Sequence, residues 1–184
     1  MRKILLILLI LLSFISVLFI GEIYTFDKYI SHPNKGSMNI PINKNAPVKS
    51  INQIEIDAPI DTVWKILTNI RSWADWQKAV SETEVHGEIK EGSQFNWKAG
   101  GLSFKSKIHT VKSKSMFGWT GTTFGASAIH NWTFVEINGK TMVKVEESLQ
   151  GVFPRLFRSY FQRNLDSGVI TNLEELKAAS EIKK

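Results

Sequence analysis

His130 and Glu147 are the two residues whose types and spacing favour acid–base chemistry. Asn138-Gly139, midway between them, favours a two-residue type I′ turn between two strands. Pairing the strands outward from this turn predicts that His130 lies opposite Glu147, with the two side chains within reach of each other. An imidazole oriented by a carboxylate can accept and release a proton in a reaction. The same pair can instead satisfy its own hydrogen bonds, and the sequence leaves both interpretations open.

Large apolar side chains share the predicted face of this pair. Gly100-Gly101 predicts a second hairpin, in which Trp97 lies opposite Phe104. Aromatic walls suit a flat or lipidic ligand, and they suit an ordinary core equally well. Besides His130 and Glu147, the residues predicted to line a binding cavity are Trp97, Phe104, Trp119, Trp132, Phe134, Val143 and Val145 from strands, and Phe161, Leu165 and Val169 from a helix.

The sequence argues against several other kinds of site. The chain has no cysteine, which excludes disulfides, thiolate metal ligands and cysteine nucleophiles. His32, His86 and His109 lack the spacing of metal ligands, so we predict neither a metal nor a cofactor. The net charge is +6, and setting Arg2 and Lys3 aside leaves 21 basic against 17 acidic residues, or +4. This excess is too small to predict nucleic-acid binding.

The hydrophobic pattern predicts the elements that must position these residues. Alternating apolar residues predict a strand over residues 50–56, and helical spacing predicts an amphipathic helix over residues 60–67. Short strands and turns follow over residues 83–151. One long C-terminal helix is predicted from the apolar ladder Phe157, Phe161, Leu165, Val169, Leu173 and Leu176. Gly168 within it indicates a kink, a close approach by a ligand, or a tolerated defect.

The N-terminal segment has the pattern of a membrane anchor. Residues 4–20 are apolar except for two serines, and as a helix they would extend roughly 25 Å, near the lower limit for crossing a bilayer. A cleaved signal peptide is the alternative, but large residues precede Gly21 where small ones would be needed. Arg2 and Lys3 predict a cytoplasmic N-terminus and a domain on the other side of the membrane.

This pattern divides the chain into three parts. We predict an N-terminal transmembrane helix within residues 1–30 and one folded domain over residues 50–184. Residues 31–49, rich in proline and asparagine, are predicted as a linker or an extended lead-in strand. Strand, two short helices, a run of antiparallel strands and a long helix follow one another in the domain. The fold class is therefore α+β, with a curved antiparallel sheet wrapped around the long C-terminal helix.

The domain resembles the helix-grip fold of the START and birch-pollen-allergen superfamily, and within it the polyketide cyclase/dehydrase-like (SRPBCC) proteins. The matching residues are Ile56, Ala58, Pro59, Val63, Trp64, Leu67, Thr68, Trp76, Gly92, Phe95, Trp97, His130, Trp132, Phe134, Gly139, Thr141, Val143, Glu147 and Gly151. The resemblance implies an internal cavity. It does not imply one activity, because the superfamily includes lipid carriers, hormone receptors and cyclases.

Three functions remain open at this stage. The first is a membrane-anchored, non-catalytic protein that binds a lipid or another hydrophobic small molecule. The second is a cyclase or dehydratase in which His130 and Glu147 act as acid and base. The third is a domain with a filled core that serves as a protein-interaction module. The oligomeric state is not predicted.

Overall fold

The computed structural model describes residues 39–181 and six isolated positions before them, Ile7, Ser13, Ser16, Val17, Ile20 and Gly21. The six positions are helical and exposed. Most of the predicted transmembrane segment, and residues 22–38 of the region between it and the domain, lie outside the described residues. Within the part that is described, no helix is both long enough and apolar enough to cross a membrane.

In the described part of the chain, seven antiparallel strands form a single sheet in the order β1-β7-β6-β5-β4-β3-β2. Their bounds are β1 Val48–Ile56, β2 Val80–Val85, β3 Gln94–Ala99, β4 Leu102–Lys112, β5 Met116–Thr123, β6 Ala126–Ile137 and β7 Lys140–Gln150. Both predicted hairpin registers are confirmed: Trp97 pairs with Phe104, and His130 pairs with Glu147. The backbone at Asn138 and Gly139 has positive φ, as a type I′ turn requires.

Within residues 39–181, four α-helices accompany the sheet: α1 Ile60–Thr68, α2 Trp73–Trp76, α3 Val152–Leu156 and α4 Arg158–Glu181. A short 3₁₀ turn, Ile70–Ser72, joins α1 to α2. The prediction that one C-terminal helix carries the whole apolar ladder is wrong for its first residue, Phe157. Phe157 ends α3 in a non-helical conformation and is exposed, so the buried ladder begins after it. Helix α4 runs through Gly168 without interruption.

Helix α4 packs across one face of the curved sheet, as the helix-grip arrangement requires. Its buried residues Leu165, Val169, Leu173 and Leu176 join the apolar residues of the strands and of α1 in one core. Trp73 is central to this core, since its ring contacts those of Phe95, Trp97 and Trp119. The indole N–H of Trp73 donates to the Leu67 carbonyl at 2.7 Å, which satisfies the only polar atom of this buried side chain.

Residues 39–47, predicted as part of a linker, lie against the opposite face of the sheet. The Asn43 amide nitrogen Nδ2 donates to Gln150 Oε1 at 2.6 Å, and Asn131 Nδ2 donates to the Ile40 carbonyl at 2.9 Å. Asn131 lies on the face of the sheet opposite His130, and it is buried there. Residues 39–47, which we call the lead-in segment, cover that face.

Candidate functional site

His130 and Glu147 form a largely buried pair on the inner face of the sheet. His130 Nδ1 lies 3.1 Å from Glu147 Oε2, and only 8% and 13% of the two side chains are exposed. The pairing follows from the strand register, because residues directly opposite in an antiparallel ladder present their side chains to the same face. With Glu147 ionised, a neutral His130 carries its proton on Nδ1 and leaves Nε2 as an acceptor.

Two tryptophans fix the plane of the His130 ring. The Trp119 ring stacks on it with centroids 4.4 Å apart, and the Trp132 ring is nearly parallel to it at 5.4 Å. Trp119 is the cross-strand partner of His130 on β5, and Trp132 lies two residues further along β6. His130 Nε2 is buried and has no hydrogen-bond partner among the described residues. A buried polar atom without a hydrogen-bond partner destabilises a fold by about 1–3 kcal/mol. A ligand group that hydrogen-bonded to Nε2 would remove this penalty.

A cavity of about 270 Å³ lies between α4 and the inner face of the sheet. Aromatic and aliphatic side chains supply most of its wall, and His130 and Glu147 form a polar point on it. Trp97 and Phe104 form one side as a stacked pair with ring centroids 4.5 Å apart. Eight of the predicted site residues line it: Trp97, Phe104, Trp119, His130, Glu147, Phe161, Leu165 and Val169.

The family profile for "Polyketide cyclase / dehydrase and lipid transport" matches residues 48–181, which is the whole sheet together with all four helices. The chain belongs to this family. None of the curated proteins is similar enough to count as a match.

Several solved structures share the fold of this polyketide cyclase/dehydrase family member. A hypothetical protein of Helicobacter pylori has a TM-score of 0.69 at 14% identity, covering 82% of this chain and 99% of its own. The Zhui aromatase/cyclase from Streptomyces sp. R1128 has a TM-score of 0.65 at 13% identity, covering 72% and 93%. A START superfamily protein from Mycobacterium smegmatis has a TM-score of 0.60 at 11% identity, covering 72% and 97%. Identities this low establish the fold alone.

In this family member, four of the predicted cavity residues do not line the cavity. Trp132, Phe134, Val143 and Val145 are buried on the inner face, but they belong to the filled part of the core. The physical reason is helix α1, whose Trp64 meets the Phe134 ring edge-on at 5.5 Å. Strand alternation predicts which face a residue occupies. It does not predict which portion of that face a helix covers.

Residues outside the predicted set complete the wall of the cavity. From α4 they are Asn164, Gly168 and Asn172, and from the strands and turns they are Leu102, Gly121, Thr123, Ala126, Ser127, Ala128 and Leu149. A pattern in the sequence could have identified the three helical residues as part of the cavity wall. They are small or polar and recur every four positions beside the apolar ladder. A Cβ atom added at Gly168 would meet no atom within 4 Å, so the absent side chain leaves open space there.

The charged groups with shifted pKa values lie on the surface, away from this cavity. A hydrogen bond donated to Glu82 raises the pKa of the Lys98 ammonium, and one received from Lys177 lowers the pKa of the Glu181 carboxyl. The described residues contain no cluster of three or more histidine, aspartate or glutamate side chains suited to a metal ion. The titratable groups of the cavity wall are thus one imidazole and one carboxylate, set in a mostly apolar enclosure that also carries the amides of Asn164 and Asn172 and the hydroxyls of Thr123 and Ser127.

Proposed function

We propose that this protein binds a lipid or another hydrophobic small molecule in the cavity between α4 and the sheet, without converting it. The observation that carries the proposal is the cavity itself, which the aromatic and aliphatic residues of the core leave unfilled. Clefts of roughly 300–1,000 Å³ with apolar walls and few polar groups are typical of small-molecule sites. At about 270 Å³, this one suits a small ring system or a short acyl chain.

The cavity wall suggests how such a ligand would be held. Burying apolar surface contributes about 25 cal/mol per Å², and the Trp97–Phe104 stack supplies a flat wall for it. His130 and Glu147 give the wall one polar point, and Glu147 holds the imidazole in place through Nδ1. We therefore expect a mostly apolar ligand with one hydroxyl or carbonyl group.

Native mass spectrometry of the fragment from Asn39 to Lys184, which keeps every residue of the described domain, tests this proposal. A co-purifying apolar compound that Gly168→Leu excludes and Gly168→Ala retains would support ligand binding. A clean mass for the unliganded protein, with no uptake of fatty acids, sterols or aromatic polyketides, would instead favour an interaction module without a ligand.

One observation favours a second candidate, a cyclase or dehydratase. His130 lines the cavity while a carboxylate holds its Nδ1, an arrangement in which an imidazole can move a proton to or from a bound molecule. Under this alternative, His130→Gln abolishes turnover of a candidate polyketide while uptake of the same compound persists. Turnover that survives the substitution would rule out His130 as the acid or base.

We further propose that residues 4–20 tether the protein to a membrane, with the N-terminus in the cytoplasm and the domain on the other side. Three described apolar residues of this region, Ile7, Val17 and Ile20, each leave more than half of their surface exposed. Exposed apolar side chains on a helix are stable when lipid surrounds them. Alkaline carbonate extraction tests the tether, and protease protection in intact cells tests the orientation.

A further inference from the structure

An exposed apolar patch lies next to residues that line the cavity. It comprises Phe124 in the β5–β6 turn and Leu156, Phe157 and Tyr160 at the junction of α3 and α4. Each of these side chains leaves more than half of its surface exposed. Such residues are ordinary when scattered singly, but a contiguous group indicates an interaction site. We call this group the mouth patch.

The contacts of neighbouring residues place the mouth patch at the cavity. Phe124 follows the cavity residue Thr123, and its ring contacts that of Phe153 on α3 at 5.5 Å. Tyr160 precedes the cavity residue Phe161 and contacts its ring edge-on at 5.5 Å. The interruption of the helix at Phe157 leaves that side chain exposed in the middle of the patch. One surface therefore joins the β5–β6 turn, α3 and the start of α4.

Positive charge accompanies the patch. Residues 152–163 contain three arginines, Arg155, Arg158 and Arg163, and no aspartate or glutamate. All three arginines are exposed. The side chains of Arg158 and Arg163 form no ion pair or hydrogen bond with another described residue. Aromatic and aliphatic side chains combined with exposed arginines are the composition of segments that lie at the surface of an anionic bilayer.

We propose that the mouth patch docks on an anionic phospholipid bilayer, so that the cavity opens toward the membrane. The aromatic and leucine side chains enter the boundary between headgroups and acyl chains, and the arginines remain among the phosphates. The proposal goes beyond ligand binding and tethering, because a tether alone does not orient the domain. It gives an apolar ligand a route between lipid and cavity that avoids water.

The absence of cysteine makes a direct test possible in the full-length protein. A nitroxide label at Tyr160→Cys reports on the mouth patch, and a label at Ile137→Cys is the matched control. Ile137 is also about half exposed, and it ends β6 at the opposite end from Ala126. These ends lie roughly 35 Å apart at about 3.4 Å per residue. In the presence of lipid vesicles, the spin relaxation of each nitroxide is then measured with oxygen and with a water-soluble nickel complex as relaxing agents.

In vesicles of two parts phosphatidylcholine to one part phosphatidylserine, we expect the label at position 160 to be accessible to oxygen and shielded from nickel. The label at position 137 should remain accessible to nickel. Replacing Arg158 and Arg163 with glutamine should lower the docked-to-undocked ratio roughly five-fold per arginine, since each contributes about 1 kcal/mol near such a surface. Vesicles of phosphatidylcholine alone should give a similar loss.

Two results would overturn the proposal. One is equal nickel accessibility at positions 160 and 137, which would mean that the tether holds the domain without orienting it. The other is shielding of position 160 from both agents in any lipid, which would identify a protein partner or a second copy as the occupant. Neither result depends on whether the cavity binds a ligand, so cavity binding and membrane docking can fail separately.

Discussion

His130 Nδ1 lies 3.1 Å from Glu147 Oε2 across the β6–β7 ladder, and both residues line the cavity. Nδ1 is thus held by the protein, whereas Nε2 of the same ring is buried without a partner among the described residues. The stacked rings of Trp119 and Trp132 prevent the imidazole from turning away. The same imidazole therefore contributes to the packing of the inner face of the sheet and supplies a polar group to the cavity wall.

Glu147→Ala should destabilise the fold by about 1–3 kcal/mol, because both nitrogens of a buried imidazole would then lack a partner. Glu147→Gln should cost less, since its side-chain oxygen can still accept from Nδ1. Urea denaturation measures both changes. Glu146→Ala is the matched control on the opposite face, where the half-buried Glu146 pairs with Lys144, and we expect a change of about 1 kcal/mol or less. Equal costs for positions 146 and 147 would contradict the assigned role of the buried pair.

Gly168→Ala should stabilise the domain by about 1 kcal/mol, because glycine is a poor helix former and the added methyl group would enter open space. A higher urea midpoint with an unchanged m-value is the expected result. A loss of stability would show that the backbone at Gly168 is needed for a reason other than the cavity.

Gly118→Ala should have the opposite effect. A Cβ atom at Gly118 would lie 2.6 Å from both Asn131 Oδ1 and His109 Cε1, beneath the lead-in segment of residues 39–47. Inserting a methyl group into a site this tightly packed typically costs about 1–3 kcal/mol. The same denaturation assay compares it with Gly168→Ala. A neutral result would show that the lead-in segment packs less tightly on the sheet than described.

Part of the stability should depend on the ionisation of Glu181. Hydrogen bonds from Lys177 and from the Asp57 backbone N–H lower the pKa of Glu181 below its ordinary value of 4.5. A lowered pKa in the folded state means that the contribution is present above 4.5 and is lost as the pH falls through the folded-state pKa. The difference in melting temperature between wild type and Glu181→Gln should therefore shrink on acidification. A difference that stays constant with pH would contradict this assignment.

The hairpin registers could be predicted because the turn residues determine them. Asn138-Gly139 and Gly100-Gly101 fix which residues lie opposite, and they place His130 opposite Glu147 from the sequence alone. The remaining features depend on contacts between segments that are distant in the sequence. Phe134 packs against Trp64 of α1 rather than lining the cavity, and Asn131 is covered by residues that were expected to form a linker or an extended lead-in strand.

The C-terminal helix illustrates the same limit within a single element. Apolar spacing correctly predicted the buried ladder from Leu165 to Leu176. It also included Phe157, because helical periodicity does not reveal that the chain turns between α3 and α4. Gly168 was identified as unusual, but whether it marked a kink, a defect or space for a ligand depended on what lies opposite the helix.

The central claim is that the cavity holds an apolar ligand, and binding of N-phenyl-1-naphthylamine to the fragment from Asn39 to Lys184 tests it most directly. Gly168→Leu fills the cavity from α4, and Ala128→Leu fills it independently from the sheet. We expect either substitution to weaken binding roughly ten-fold or more, a loss of about 1.4 kcal/mol or more, while Gly168→Ala retains the wild-type affinity. Circular dichroism confirms that each variant is folded. Undiminished binding by both folded leucine variants would contradict the claim, because the dye would then occupy another surface.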